Sequence, residues 1–358
     1  MVPLLNQLGV DTRWIVIQGN QEFFRVTKRI HNALHGKGDQ LSPQDVSLFL
    51  ETSRKNIEEL KLDGDIIFVH DPQPIALVER RKEIGKKWIW RCHVDVSQPI
   101  EAVWGFLKPW VVQYDAAVFS APAFSRPIPI RQALISPSID PLSEKNRELS
   151  RASIDAVLSR YNIPSDKPLI VQISRFDYMK DPVGVIKAFR LVKKNVDCAL
   201  VLAGGTATDD PESDMVLNEV KEMAGNDPDI HILLLPPGSD MEINALQRAA
   251  AVVVQKSLRE GFGLTVSEAL WKAKPVVASA VGGIPLQVKD RFTGLLSHTI
   301  EGTAYAIKQL ITNPEYARWL GENGKEHARK KFLITRHLKE YMLLFLLLDH
   351  PEEVVHFD

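Results

Sequence analysis

Cysteine is nearly absent: Cys92 and Cys198 are the whole complement of the 358-residue chain, and both lie inside apolar stretches. Two cysteines are too few for a disulfide scaffold and read instead as buried free thiols in a reducing compartment, so a cytoplasmic protein is expected. Charge excess is missing as well. Lys and Arg number 44 against 45 Asp and Glu, a net of −1, and nothing in that balance selects nucleic acid or an acidic membrane as partner. The longest apolar run, Met342 to Leu348, is far too short to span a bilayer, and the N-terminus carries no basic segment followed by an apolar one. A soluble protein with a small or neutral partner follows. There is no His-rich cluster and no cysteine spacing suited to zinc. Asp-x-Asp occurs at Asp63-Gly64-Asp65 and Asp227-Pro228-Asp229, but both precede strand-like runs, on the side expected to face away from a ligand. No metal and no cofactor is expected.

What is present is ordinary globular composition, 45% hydrophobic and 25% charged, in a chain long enough for two domains with separate cores. Short apolar runs alternate with longer amphipathic segments, the pattern of parallel strands covered by helices in an α/β fold. Strands are expected at Trp14–Ile17, Asp65–His70, Lys87–Cys92, Ala116–Ser120 and Gln132–Ile135 in the first half. In the second half they are expected at Pro168–Ser174, Ala199–Ala203, Ile230–Leu235, Val252–Gln255, Pro275–Ala280 and near Gly294–Ser297. Ser136 to Leu149, with two prolines and few apolar residues, reads as the linker. The expected division is 1–142 and 143–334, with a leucine-rich helix from 335 to 358 that returns to the first domain and is also a candidate dimer face. Paired α/β halves place a ligand in a cleft at the carboxyl ends of their strands.

Two stretches just after strands carry chemistry. Arg175 and Lys180 stand five residues apart on a loop that Asp181-Pro182 turns into a helix start, and a fork-shaped cation with a point cation suits a diphosphate. Two solvated surface cations flanking Asp177 and Asp181 would fit the same spacing equally well. The second stretch, Glu260-Gly261-Phe262-Gly263-Leu264-Thr265-Val266-Ser267-Glu268, bends through two glycines into a helix whose first N–H groups, at Leu264 and Thr265, suit an anion. Its carboxylates lie eight residues apart. Thr265-x-x-Glu268 also fits a capping box, in which the glutamate merely satisfies a backbone donor. Beside the Gly-x-Gly loop and a second carboxylate, ligand binding becomes the stronger reading. Gly204 ends a strand where it could border the nucleotide, although a glycine pair at such a turn is common, and Gly282-Gly283, which fits turn geometry as well as a ligand contact, stays outside the site.

The ordered set Ser174-Arg175, Lys180, Glu260-Gly261-Phe262-Gly263 and Glu268 resembles the signature of glycosyltransferase family four, retaining enzymes of GT-B fold marked by Glu-x7-Glu. The resemblance covers nearly the whole chain and implies two Rossmann-like domains facing each other across a cleft. It implies that Arg175 and Lys180 hold the donor diphosphate, that Glu268 accepts from the ribose hydroxyls, and that Glu260 lies by the donor sugar. The amides of Phe262, Gly263, Leu264 and Thr265 would meet sugar and phosphate, and Leu235-Pro-Pro-Gly238 would read the base through backbone groups. A lone histidine is more often structural, but the resemblance implies that His93, at a strand end, approaches the donor sugar. Asp71 and Gln73, after the preceding strand, are acceptor candidates.

Within that family, the runs Arg13–Ile17, Lys28–Gly36, His70–Pro74 and Arg91–Asp95 are similar to those of the trehalose glycosyltransferring synthases, which join an NDP-glucose to free glucose. The nucleotide-sugar donor and a glucose acceptor are then the partners, and the product is α,α-trehalose. A sugar-phosphate or other saccharide acceptor is the alternative within this chemistry. GT-B enzymes of this type begin with a strand and a glycine-rich loop, whereas Met1-Val-Pro-Leu-Leu reads as a first helix, so that strand is expected to be missing. A nucleotide-sugar-binding protein without turnover is the alternative from another class.

Overall fold

The computed structural model describes residues 1–205 and 211–351, side chains of 211 and 212 excepted, and the chain divides into two units. The first comprises Met1–Pro137 and the chain from Thr335 onward; the second is Ser138–Ile334. The first break falls ahead of the expected 142/143 because Ile139 already belongs to the second unit: its N–H donates to Phe332 O at 2.8 Å, and its carbonyl accepts from Ile334 N at 3.0 Å. Residues 352–358 of the expected returning segment lie outside the described residues.

The first unit runs α1 (Val2–Gln7), α2 (Gln21–Leu34), α3 (Pro43–Glu59), β1 (Ile66–His70), α4 (Arg81–Ile84), β2 (Lys87–Cys92), α5 (Glu101–Val111), β3 (Ala116–Phe119) and β4 (Arg131–Leu134). Local chemistry sets the helix starts. Asn20 accepts from Phe23 N ahead of α2, and Ser42 with Asp45 closes a capping box ahead of α3, whose first residue is Pro43. The four strands are parallel in the order β1-β2-β3-β4. Trp14–Ile17, expected as a strand, is not one. Trp14 and Val16 are exposed, and the segment is held at its end by Asn56, which exchanges two hydrogen bonds with the Gln18 backbone. Apolar, β-branched residues make a strand only where a sheet surface receives them.

The second unit runs α6 (Arg151–Arg160), β5 (Leu169–Ile173), α7 (Pro182–Lys193), β6 (Ala199–Gly204), α8 (Pro211–Ala224), β7 (Ile230–Leu234), α9 (Asp240–Ala249), β8 (Val252–Gln255), α10 (Leu264–Trp271), β9 (Val276–Ser279), α11 (Ile284–Gln287), β10 (Leu295–Ser297), α12 (Ile300–Thr312) and α13 (Pro314–Lys331). Its six parallel strands lie in the order β10-β9-β8-β5-β6-β7. Strand residues alternate between two cores: Leu169, Val171 and Ile173 pack with α6, α9 and α10, while Ile170, Leu200 and Leu202 pack with α7, α8 and α12.

After α13 the chain forms α14 (Ile334–Asp349), whose Tyr341, Leu344 and Leu348 are buried against Ile89, Val118 and Ile135 of the first unit. Leu344 and Leu348 of this helix therefore serve a core face, whereas Leu346 is exposed. Both cysteines are free and buried. None of the described helices is long and apolar enough to cross a membrane.

Candidate functional site

The strand order of the second unit has one reversal. From β5 the chain proceeds outward to β6 and β7, then returns to lay β8 on the other side of β5. Loops leaving the carboxyl ends of β5 and β8 therefore diverge, and in a doubly wound sheet such a switch point is where ligands bind. These are the loops that carry Arg175 and Lys180 on one side and Glu260 to Gly263 on the other.

The structure joins them closely. Lys180 Nζ donates to Glu260 Oε2 at 2.6 Å, and that oxygen also accepts from Ser257 Oγ at 3.1 Å and Gln255 Nε2 at 3.3 Å. Leu258 N donates to Met179 O at 2.7 Å, and Gln172 Nε2 donates to Lys180 O at 2.9 Å. Beside them the buried Lys256 pairs with Asp181, which sits at a left-handed φ of 47° and caps α7 by accepting from Gly184 N at 3.0 Å. Lys180 and Glu260 are mostly covered, whereas Arg175 stays exposed, its guanidinium 3.5 Å from Asp177 Oδ2.

Two glycines make this closeness possible. A Cβ on Gly204 would lie 1.8 Å from Ser174 O, so only glycine lets the end of β6 sit against the end of β5. A Cβ on Gly282, at a φ of 55°, would lie 1.6 Å from Glu260 O. Gly282 and Gly283 form a turn that backs the Glu260 loop, and Gly283 N donates to Gly261 O at 3.1 Å.

The helix that follows is not capped as Thr265-x-x-Glu268 suggested. Its N-cap is Gly263, in the left-handed region, and no side chain caps it. Thr265 Oγ1 instead donates to Gln255 Oε1 at 3.1 Å, and Glu268 Oε2 accepts from Gln247 Nε2 at 3.4 Å. Leu264 and Thr265 hold the first helical positions, where N–H groups have no carbonyl a turn earlier to bond. Phe262 turns its ring into the core against Phe332, 5.7 Å between centroids, so its backbone alone can meet a ligand. Glu268 is buried, and burial raises its pKa against the opposing pull of Lys272.

The remaining candidates belong to the first unit. His93 follows β2 and His70 ends β1; His70 Nδ1 lies 3.1 Å from His93 Nε2, with the rings 5.4 Å apart and 15° from parallel. Asp71, at a φ of 67°, accepts from His93 N through Oδ1 at 3.0 Å, and its own N–H donates to Arg91 O at 2.7 Å. Arg91 is fully buried, donating to Ile135 O at 2.7 Å and Ser120 Oγ at 3.1 Å. Burial, reinforced by the charge of Arg91, lowers His70 to about 4 and His93 to about 3, although His93 keeps an exposed surface. Neutral rings suit the contact, since one imidazole donates while the other accepts. Burial pushes Asp71 the other way, up to about 6. Gln73 lines a small recess with Ile17, Phe23 and Asn56.

No spacing pointed to His70 as the partner of His93, or to Lys256, Gln255 and Ser257 around the second loop. All four lie at or just beyond strand ends, and that position was the one signal available. Both Asp-x-Asp pairs are engaged by cations: Asp63 with Arg13, Asp65 with Lys86, Asp227 with Lys193, and Asp229 with Lys193 and Lys167.

Comparison with known proteins bears on the fold and the family. The α,α-trehalose-phosphate synthase (UDP-forming) from Burkholderia xenovorans superposes with a TM-score of 0.77 over 90% of this chain and 83% of that one, at 16% identity. The similarity defines the fold as that of a GT-B glycosyltransferase. A family described as "Trehalose synthase, N-terminal domain" matches residues 1–126, and "Glycosyl transferases group 1" matches 154–327. Trehalose synthase from Rubrobacter xylanophilus is 44% identical over 355 residues, covering 96% of this chain and 85% of that protein. The trehalose synthase of Pyrococcus horikoshii is 41% identical over 348 residues, covering 96% and 84%. The chain belongs to the trehalose synthase family of group 1 glycosyl transferases.

Proposed function

We propose that this chain is a retaining glucosyltransferase that moves glucose from an NDP-glucose to free glucose, giving α,α-trehalose and NDP. The observation that carries the reading is the pair of stitched loops at the switch point, where Lys180 meets Glu260 and Arg175 stands exposed beside Asp177. Diphosphate charge rises as the glycosidic C1–O bond breaks, and donors already in place stabilise it without reorganisation. Arg175, Lys180 and the N–H groups of Leu264 and Thr265 are those donors, with the backbone of Phe262 and Gly263 beside them. Gly204, whose bare Cα lets β6 close against β5, borders the nucleotide. Glu260 accepts from hydroxyls of the donor glucose, and Glu268 from those of the ribose. As the diphosphate enters, Lys180 exchanges Glu260 for phosphate and frees the carboxylate for sugar.

The acceptor hydroxyl attacks C1 from the face the diphosphate leaves; its proton passes to the departing phosphate oxygen, and configuration is retained. In the first unit, His93, as a neutral imidazole, is suited to a hydrogen bond with a sugar hydroxyl, and Asp71 and Gln73 are its acceptor-binding residues. No metal or cofactor enters this scheme. Relatives named trehalose synthase, at 41–44% identity across most of the chain, support the choice of product.

The test is NDP release from ADP-, UDP- and GDP-glucose with free glucose, with glucose 6-phosphate and with buffer, and the product read by NMR. Release above the hydrolysis blank with free glucose, yielding a 1,1-linked disaccharide, is expected. Release with the sugar phosphate alone would move the acceptor assignment. Trehalose formed from maltose without nucleotide sugar, or donor binding without turnover, would overturn the proposal.

A further inference from the structure

Behind Glu268 lies a buried cation that the proposed chemistry does not use. Lys272 follows α10 and is 5% exposed. Its ammonium donates to Gln247 Oε1 at 2.8 Å, to Asn146 Oδ1 at 3.0 Å and to the Glu268 carbonyl oxygen at 3.3 Å. Its three N–H bonds thus go to three neutral oxygens, and among the described residues it forms no ion pair with a carboxylate. Burying an ammonium is costly, and burial holds its pKa down to about 7 although the nearby charge of Glu268 pulls it up. A packing role at this place would be met by methionine or leucine at lower cost.

What a lysine does that methionine cannot is dictate direction. An ammonium only donates, so the oxygen of the Gln247 side chain must face Lys272, and the amide nitrogen must then face the other way. On that other side it meets Glu268 Oε2 and Thr265 O, each at 3.4 Å. Without the ammonium the amide could flip and turn its oxygen toward a carboxylate, which would repel it. The chain of oriented amides extends one residue further, to Asn146. Asn146 gives its amide hydrogens to Asp140 O at 2.9 Å and Ser143 Oγ at 3.2 Å, which leaves its oxygen for Lys272. Asn146, Gln247 and Glu268 are themselves buried, so each link has little water to replace a lost partner.

We propose that Lys272 is a positioning residue: through Gln247 it holds the Glu268 carboxylate in the orientation that receives the ribose hydroxyls of the donor, and so sets the preference for ribose over deoxyribose nucleotides. This rests on the reading of Glu268 as the ribose-binding group. The site is therefore specific for ribonucleotides through a polar chain anchored in the segment that enters the second unit, and not through Glu268 alone.

The test compares binding of ADP, UDP and GDP with that of their 2′-deoxy and 3′-deoxy counterparts, by calorimetry on the full chain. Lys272→Met is expected to reduce the ribose-over-deoxyribose ratio about tenfold, the scale of one hydrogen bond to a charged group, with KM for the nucleotide sugar rising more than kcat falls. Gln247→Met, which leaves the cation in place, is the second variant should Lys272→Met fold poorly, and the same loss of ratio is expected. A purely structural role would weaken ribose and deoxyribose ligands alike, and an unchanged ratio in both variants would overturn the proposal. Glu268→Gln separates the two levels. If it collapses the ratio while Lys272→Met and Gln247→Met do not, only the positioning role fails. If Glu268→Gln leaves the ratio intact, Glu268 does not read ribose, and that assignment fails with everything built on it.

Discussion

The two candidate clusters treat charge in opposite ways. Around Glu260 opposite charges meet at contact distance: Lys180 with Glu260, Lys256 with Asp181, Arg175 with Asp177. Around His93 the ionisable side chains are pushed toward their neutral forms, histidines downward and Asp71 upward, beside an arginine bonded only to neutral oxygens. The contrast follows the ligand each would hold. A diphosphate would need cations whose positions are already set, and the paired carboxylates hold them in place. A sugar is uncharged and needs donors and acceptors of fixed direction, which neutral imidazole and a hydrogen-bonded carboxyl supply.

The comparison is broken most severely by adding one methyl group. Gly282→Ala would drive a Cβ into Glu260 O at a positive φ, and a loss of roughly 4 kcal/mol or more is expected in urea unfolding of the second unit. A loss under about 1 kcal/mol would show that the two loops are not packed as described. Next in size, Lys180→Met should lower kcat about 10²- to 10³-fold in the NDP-release assay, as for removal of one preorganised donor. Because it also leaves Glu260 buried without its cation, Glu260→Gln is the companion variant, expected to lose turnover while nucleotide binding remains measurable.

Acid should act on the first unit before the second. His70, His93 and His337 have folded pKa values of about 4, 3 and 3, lowered by burial first and then by neighbouring positive charge. The unfolded chain takes up these protons near pH 6.5, and the folded one does not until pH 3 to 4, so stability falls as pH drops through that window. Asp71, raised to about 6, works the other way, because the folded state protonates first. Three groups against one leave a net loss. In NMR titrations the three imidazole signals should stay neutral between pH 7.5 and 5; ordinary titration near 6.5 would sink the desolvated-cluster account. Lys272 carries its own dependence in a separate range: its lowered pKa adds stability as pH rises from about 7 toward 10.5 and none below. The smallest effect is expected for Asp71→Asn, which keeps an acceptor for His93 N and tolerates the left-handed backbone. Its thermal midpoint should move by no more than about 1 kcal/mol of stability.

Much of the architecture was legible along the chain. Every strand of the second unit lies within about a residue or two of its apolar run, and the central strands, buried on both faces, are continuous apolar blocks that few other elements produce. Trp14–Ile17 has the same composition and fails, since a strand also needs an edge to pair with, and that is not a local property. The site divides in the same manner. Arg175, Lys180, Glu260 and Glu268 could be picked out because their spacing and glycines form a local pattern. Lys256, Gly282, His70 and Lys272 carry no such pattern and matter through what they touch: Asp181, the Glu260 carbonyl, His93 and Gln247.

By itself, then, the sequence determined the alternation of strands and helices, the place of the linker to within several residues, and the loops that bear the cations and carboxylates. These follow from burial periodicity and from residue types that few backbones tolerate. Only the tertiary structure decided that β8 lies beside β5, that Lys180 is bonded to Glu260, that Glu268 is buried beside Gln247 instead of capping its helix, and that His93 has a histidine partner. Each of those depends on residues far apart in the chain meeting within about 3 Å, and sequence spacing carries no record of such meetings.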